Sequence, residues 1–126
     1  MPIKINVSEK GNPLKTEQPK KWYINAKSTG ESTLRKMSKL IAARSTISPA
    51  DAYAVLVALT EVTAEELAEG KIVRFGDFGS FQVSVGSTGA ETEAKCNPSL
   101  IKTKKIAFRP GIDLKEMLNN LKFEKA

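Results

Sequence analysis

The sequence predicts an α+β fold in which a helical base runs into an antiparallel three-stranded β part and ends in a short helix. Three observations lead there. Apolar residues recur at helical spacing from Ser48 to Gly70. Gly70-Lys-Ile-Val-Arg-Phe-Gly-Asp-Phe-Gly-Ser-Phe81 follows at once. Its Ile72, Val73 and Phe75 are strand formers, and Gly76 and Gly79 suit a tight turn into a second strand. A further β run, Ile101–Phe108, then leads through Arg109-Pro110-Gly111 into a last apolar-periodic segment.

Ahead of these lies a β extension, residues 1–31. Ile3–Val7 alternates apolar and polar side chains, which predicts a short strand, and Gly11-Asn12-Pro13 breaks it. Trp22–Ala26, aromatic and β-branched, predicts a second strand, joined to the first by a lysine-rich loop from Lys15 to Lys21. Trp22 and Tyr23, beside Lys20 and Lys21, can either stack on bases or pack on a core.

The main domain is predicted over 32–126. Ser32 or Thr33 caps a helix from Leu34 to Arg44, with Leu34, Met37, Leu40 and Ile41 on one face and Arg35, Lys36 and Lys39 pointing away. Ser45-Thr46-Ile47 interrupts it. Ser48 then caps a second helix with Pro49 at its first position and Asp51 placed to return the capping bond. Ala52, Val55, Leu56, Leu59, Val62 and Leu67 make this helix apolar over much of its circumference. A strand from Ser80 to Val85 follows the hairpin turn, and Ala90–Ser99 is a polar, turn-rich excursion. In the strand Ile101–Phe108, Lys102 and Lys104 share a face with Ile106 and Phe108. Asp113 with Glu116 predicts a capping box for the final helix, which turns Leu114, Met117, Leu118 and Leu121 inward.

Composition narrows the function. The chain of 126 residues has no histidine and a single cysteine, Cys96. Histidine-based acid–base chemistry, Ser-His-Asp and Cys-His nucleophiles and the usual zinc sets are therefore excluded. Carboxylate or lysine catalysis stays formally open, but no constellation for it can be assembled. No enzymatic activity, cofactor, metal or small-molecule substrate is expected. No apolar run approaches a membrane span, and the start of the chain has no signal-peptide core, so a cytoplasmic location is expected. Cys96 alone allows no internal disulfide, which fits a reducing compartment.

A net charge of +6 and a pI near 9.5 point to a polyanionic partner. The excess is uneven: +3 over 1–34, −1 over 35–70, zero over 71–100 and +4 over 101–126. Charge gathered at the two ends favours a binding face over general solubility.

From about Thr33 onward the order of elements resembles the bacterial histone-like family of HU and integration host factor. Two segments carry the resemblance. Phe78-Gly79-Ser80-Phe81 is similar to the turn that joins the family's first two strands, with Asp77 where that turn usually begins with glycine. Phe108-Arg109-Pro110-Gly111, followed by Leu114-Lys115, is similar to the segment before the family's last helix. The residues ahead of Thr33 resemble the extended amino termini of HU-like proteins from Bacteroidetes-type bacteria. The resemblance implies an intertwined homodimer, a β saddle facing duplex DNA, and architectural, nucleoid-associated binding of low sequence specificity through phosphates and the minor groove.

It also implies phosphate contacts at Arg109 and Lys115. Charge density adds Lys102, Lys104 and Lys105 on the strand expected to line the saddle, and Arg74 on the hairpin completes the DNA-binding candidates. Family arms carry a proline wedge. The nearest echo here is Pro98 in Cys96-Asn97-Pro98, further from Phe81 than the family spacing. Glu91 and Glu93 beside it would repel phosphate, which favours a turn proline over a wedge. Two other functions remain open: an HU-fold protein-interaction module without DNA binding, and a basic RNA-binding domain.

Overall fold

The computed structural model describes residues 2–11 and 19–126; most of the loop from Lys15 to Lys21 therefore lies outside the described residues. The chain divides into two compact units, one of Leu34–Glu116 and one of Met1–Thr33 with Met117–Ala126.

The larger unit begins with α1 (Leu34–Ala43) and α2 (Pro49–Ala68). The Ser48 hydroxyl accepts a bond from the Asp51 backbone N–H at 3.1 Å, and Pro49 opens the helix where a missing N–H costs nothing. Ser48→Ala is expected to lower stability by about 1 kcal/mol in a denaturant titration. At the other end of α2 the Lys71 ammonium lies 2.9 Å from both Glu66 and Glu69. Those bonds, to Glu69 first and Glu66 second, hold its pKa above the ordinary lysine value. A cation there also complements the helix dipole.

The two helices pack on each other, with the Arg35 guanidinium 5.3 Å from the centre of the Tyr53 ring. Ser38 is buried between them and its hydroxyl donates to the Leu34 carbonyl at 2.6 Å, so nothing polar is stranded. Very little apolar surface is closed off, however. Ala52 and Leu67 are buried, whereas Leu40 is 52%, Val55 61% and Val62 52% exposed. The apolar faces expected from periodicity are present and look outward.

After α2 come β3 (Val73–Arg74), a 3-10 turn (Gly76–Phe78) and β4 (Gly79–Ser87). β5 (Ile101–Pro110) completes a sheet of order β3-β4-β5. Gly76 and Gly79 both take positive φ, as their place in the turn requires. The two segments singled out in the sequence lie directly against each other. Gly79 pairs with Pro110, Ser80 with Arg109 and Phe81 with Phe108. The Gly111 N–H donates to the Phe78 carbonyl at 2.8 Å. Phe75, Phe78, Phe81 and Phe108 form one aromatic cluster, with ring centres 4.7 Å apart for Phe81 and Phe108 and 5.4 Å for Phe75 and Phe81.

α3 (Ile112–Asn119) starts two residues earlier than the capping box requires, with Gly111 at the cap position. Asp113 therefore sits inside the first turn, where its charge favours the helix dipole without capping it.

In the smaller unit, β1 (Ile3–Lys10) pairs antiparallel with β2 (Lys21–Ala26), as the sequence predicts. A strand with no counterpart in the sequence reading, β6 (Phe123–Lys125), pairs parallel to β1 on its other side. The sheet order is β2-β1-β6.

Candidate nucleic-acid interface

Residues that pair directly across an antiparallel ladder point to the same face, and successive residues alternate. The register of the β3-β4-β5 sheet therefore assigns each side chain. Arg74 pairs with Ser80 and Ser80 with Arg109, so both guanidiniums belong to one face, on either side of a serine. Along the same face run Gln82 with Ala107, Ser84 with Lys105 and Gly86 with Thr103. The opposite face holds Val73, Phe81 and Phe108, then Val83 with Ile106 and Val85 with Lys104. One face is polar and cationic, and the other is apolar and carries the phenylalanine cluster.

The predicted site residues are thus sorted by the pleat. Arg74, Lys105 and Arg109 are brought onto the polar face. Lys104 lies on the apolar side, and the register skips Lys102 at a bulge where Gly86 pairs with Thr103 but Ser87 with Ile101. Lys115 is exposed on α3. Ser80, Gln82, Ser84 and Arg109 line a shallow trough on the polar face. Sequence reading passed over Gln82 and Ser84, whose position follows from counting in twos from Ser80. Ion pairs among the described residues join Lys4 to Glu124, Lys71 to Glu66 and Glu69, and Lys95 to Glu91. None engages the six cations named here.

The excursion between β4 and β5 is closed by Thr88 N–H bonding the Leu100 carbonyl at 3.0 Å. Pro98 opens a 3-10 turn, Pro98–Leu100, capped by Asn97, whose side-chain oxygen accepts from the Ser99 N–H at 2.9 Å. Trp22 and Tyr23 fall on opposite faces of the β2-β1-β6 sheet, as neighbours in a strand must, so they do not form one stacking platform. Among the described residues no cluster of His, Cys, Asp and Glu could hold a metal ion, and no helix is long and apolar enough to cross a membrane.

Comparison with known proteins bears on this arrangement. Residues 1–125 match the HU-HIG family, described as an HU domain fused to wHTH, Ig, or a glycine-rich motif. The chain belongs to this family. The HU family is one of architectural, non-enzymatic proteins. A crystal structure from Bacteroides vulgatus ATCC 8482, of a protein described as DNA-binding, is similar in fold with a TM-score of 0.63 and 11% identity. The match covers 82% of this chain and 43% of that one, so the HU-HIG chain spans less than half the length of that relative. An Anabaena HU–DNA cocrystal structure gives a TM-score of 0.52 at 22% identity, covering 71% of this chain and 99% of HU. A sequence search of curated proteins finds no match.

Proposed function

We propose that this HU-HIG protein binds duplex DNA architecturally, as a homodimer, through phosphate contacts with little reading of base sequence. The observation that carries the reading is the polar sheet face, where Arg74, Lys105 and Arg109 stand unpaired among Ser80, Gln82 and Ser84. Cations with serine and glutamine donors are the inventory that meets phosphate and sugar. The similar HU of Anabaena was crystallised with DNA. Lys115 on α3 and Lys102 at the bulge extend the same positive field, and Lys104 contributes to it only from the far side of the sheet. Association releases counterions, each neutralised phosphate adding about −0.9 to the slope of log K against log salt. Location on the nucleoid follows from such binding.

Dimerisation rests on the outward apolar faces of α1 and α2. Leu40, Val55, Leu59 and Val62 together would be an unusual contiguous patch for a monomer to leave in water. Pro98 is the proline of the arm, but its capped turn and the nearby Glu91 and Glu93 favour binding without proline intercalation.

Titrating duplex DNA, single-stranded DNA and structured RNA at several salt concentrations tests the reading. Duplex is expected to bind best, with a slope of at least about −5 for a dimer presenting three cations per protomer. Failure to bind duplex at low salt contradicts the reading in favour of a protein-interaction module, and tighter binding of RNA contradicts it in favour of RNA recognition.

A further inference from the structure

The β2-β1-β6 sheet also has two chemically different faces. Ile3, Ile5, Val7, Ile24, Trp22 and Phe123 fall on one, which is mainly apolar with Glu9 opposite Trp22 and Lys125 opposite Ile5, by the register of β1 with β2 and β6. The other carries Lys4 opposite Glu124, Asn6 opposite Asn25, Ser8 opposite Tyr23 and Lys10 opposite Lys21. Two contacts confirm that these side chains share a face: the Lys4–Glu124 ion pair, and the Asn25 amide donating to the Ser8 hydroxyl at 3.4 Å.

At one end of this face the lysine is neutralised by Glu124. At the other, Lys10 and Lys21 oppose each other directly, and among the described residues neither has a carboxylate partner. Like charges in direct cross-strand register repel, and that repulsion is relieved when an anion lies between them. Next in the same row are the Tyr23 and Ser8 hydroxyls, followed by the Asn25 and Asn6 amides. Two cations followed by neutral hydrogen-bonding groups fit a backbone phosphate with its adjoining sugar.

We infer that the polar face of the β2-β1-β6 sheet is a second phosphate-binding surface for duplex DNA, with Lys10 and Lys21 as its cations and Tyr23, Ser8 and Asn25 beside them. The inference rests on the duplex-binding reading above and adds a contact region outside the β3-β4-β5 sheet. It gives the extension ahead of α1 a role of its own. The row also separates the Trp22-Tyr23 pair by function: Tyr23 faces the DNA, and Trp22 belongs to the apolar side.

Charge reversal at a single position tests it without dismantling the sheet. Lys10→Glu turns a repulsive cross-strand pair into an attractive one with Lys21, so its melting temperature should equal or exceed that of the unaltered chain. Its DNA salt slope should nonetheless become shallower by about 2 per protomer, since one cation is lost and the other is neutralised. At about 0.1 M salt that corresponds to roughly 60-fold weaker binding per protomer. Lys125→Glu is the control. It makes the same change in net charge on the opposite face of the same sheet, where Lys125 pairs with Ile5, and should leave the slope unchanged. An unchanged slope in a stably folded Lys10→Glu chain, or an equal loss in Lys125→Glu, overturns this inference while the main reading stands. Absence of duplex binding by the unaltered chain overturns both.

Discussion

Reversing Arg74, Lys105 and Arg109 together to glutamate is expected to abolish duplex binding, while Lys104→Glu leaves it within a few-fold of the unaltered chain. The contrast follows from the pleat. The three cations of the first variant share the polar face of the β3-β4-β5 sheet, and Lys104 pairs with Val85 on the other. Loss of three phosphate contacts should make the salt slope shallower by about 3 per protomer, which at about 0.1 M salt is roughly a 500-fold loss of affinity. Introduced carboxylates facing phosphate add repulsion to that loss. Fluorescence anisotropy with a labelled duplex at several salt concentrations reads both quantities. All three side chains are exposed, so the melting temperature should change little. A variant that melts normally and still binds duplex tightly would place the interface elsewhere.

Gly111→Ala is expected to cost about 3 kcal/mol and to lower the melting temperature by about 10 °C. A Cβ at this position would overlap the Asp77 carbonyl group and stand 3.0 Å from the Gly79 nitrogen. Those are backbone atoms of the tight turn, which cannot swing aside as a flexible side chain can. The same approach sets up the 2.8 Å bond from the Gly111 N–H to the Phe78 carbonyl. Moving the chain away would release that bond and loosen Phe78 from Phe108, whose ring centres are 5.9 Å apart. Gly79 is bound by the converse constraint: its added Cβ would lie 2.6 Å from the Arg109 carbonyl oxygen. Gly89→Ala, with nothing within 4 Å of its Cβ and no positive φ, is the matched control and should be close to neutral in thermal denaturation.

These two expectations show where the sequence was informative. Local signals placed the helices and the hairpin well. Ser48 with Pro49 marks the start of α2, and the glycines of the Gly76–Phe78 turn mark the hairpin, because capping and positive φ are decided within a few residues. Partnerships between distant segments were not legible. Phe123–Lys125 is too short to show alternation, and its partner Ile3–Ile5 stands at the opposite end of the chain. The site fell between these cases. Charge density gathered Lys102, Lys104 and Lys105 into one group, although alternation from Phe108 already separates Lys105 from Lys104. Arg74 could not be linked to Arg109 from the sequence, since only the register through Ser80 joins them. Asp113 missed its predicted capping role by two residues, because α3 opens at Ile112 and Gly111 takes the cap position.

The central claim is that one face of the β3-β4-β5 sheet meets duplex DNA, and lysine protection measures it most directly. The protein is acetylated with and without a saturating duplex at low salt, and the modification of each lysine is read by mass spectrometry. Lys105 is expected to be strongly protected by DNA. Lys104, its neighbour on the opposite face, and Lys71, held between Glu66 and Glu69, should react at nearly the same rate in both states. Protection of Lys104 with Lys105 still reactive would contradict the assignment and put the DNA on the other face of the sheet.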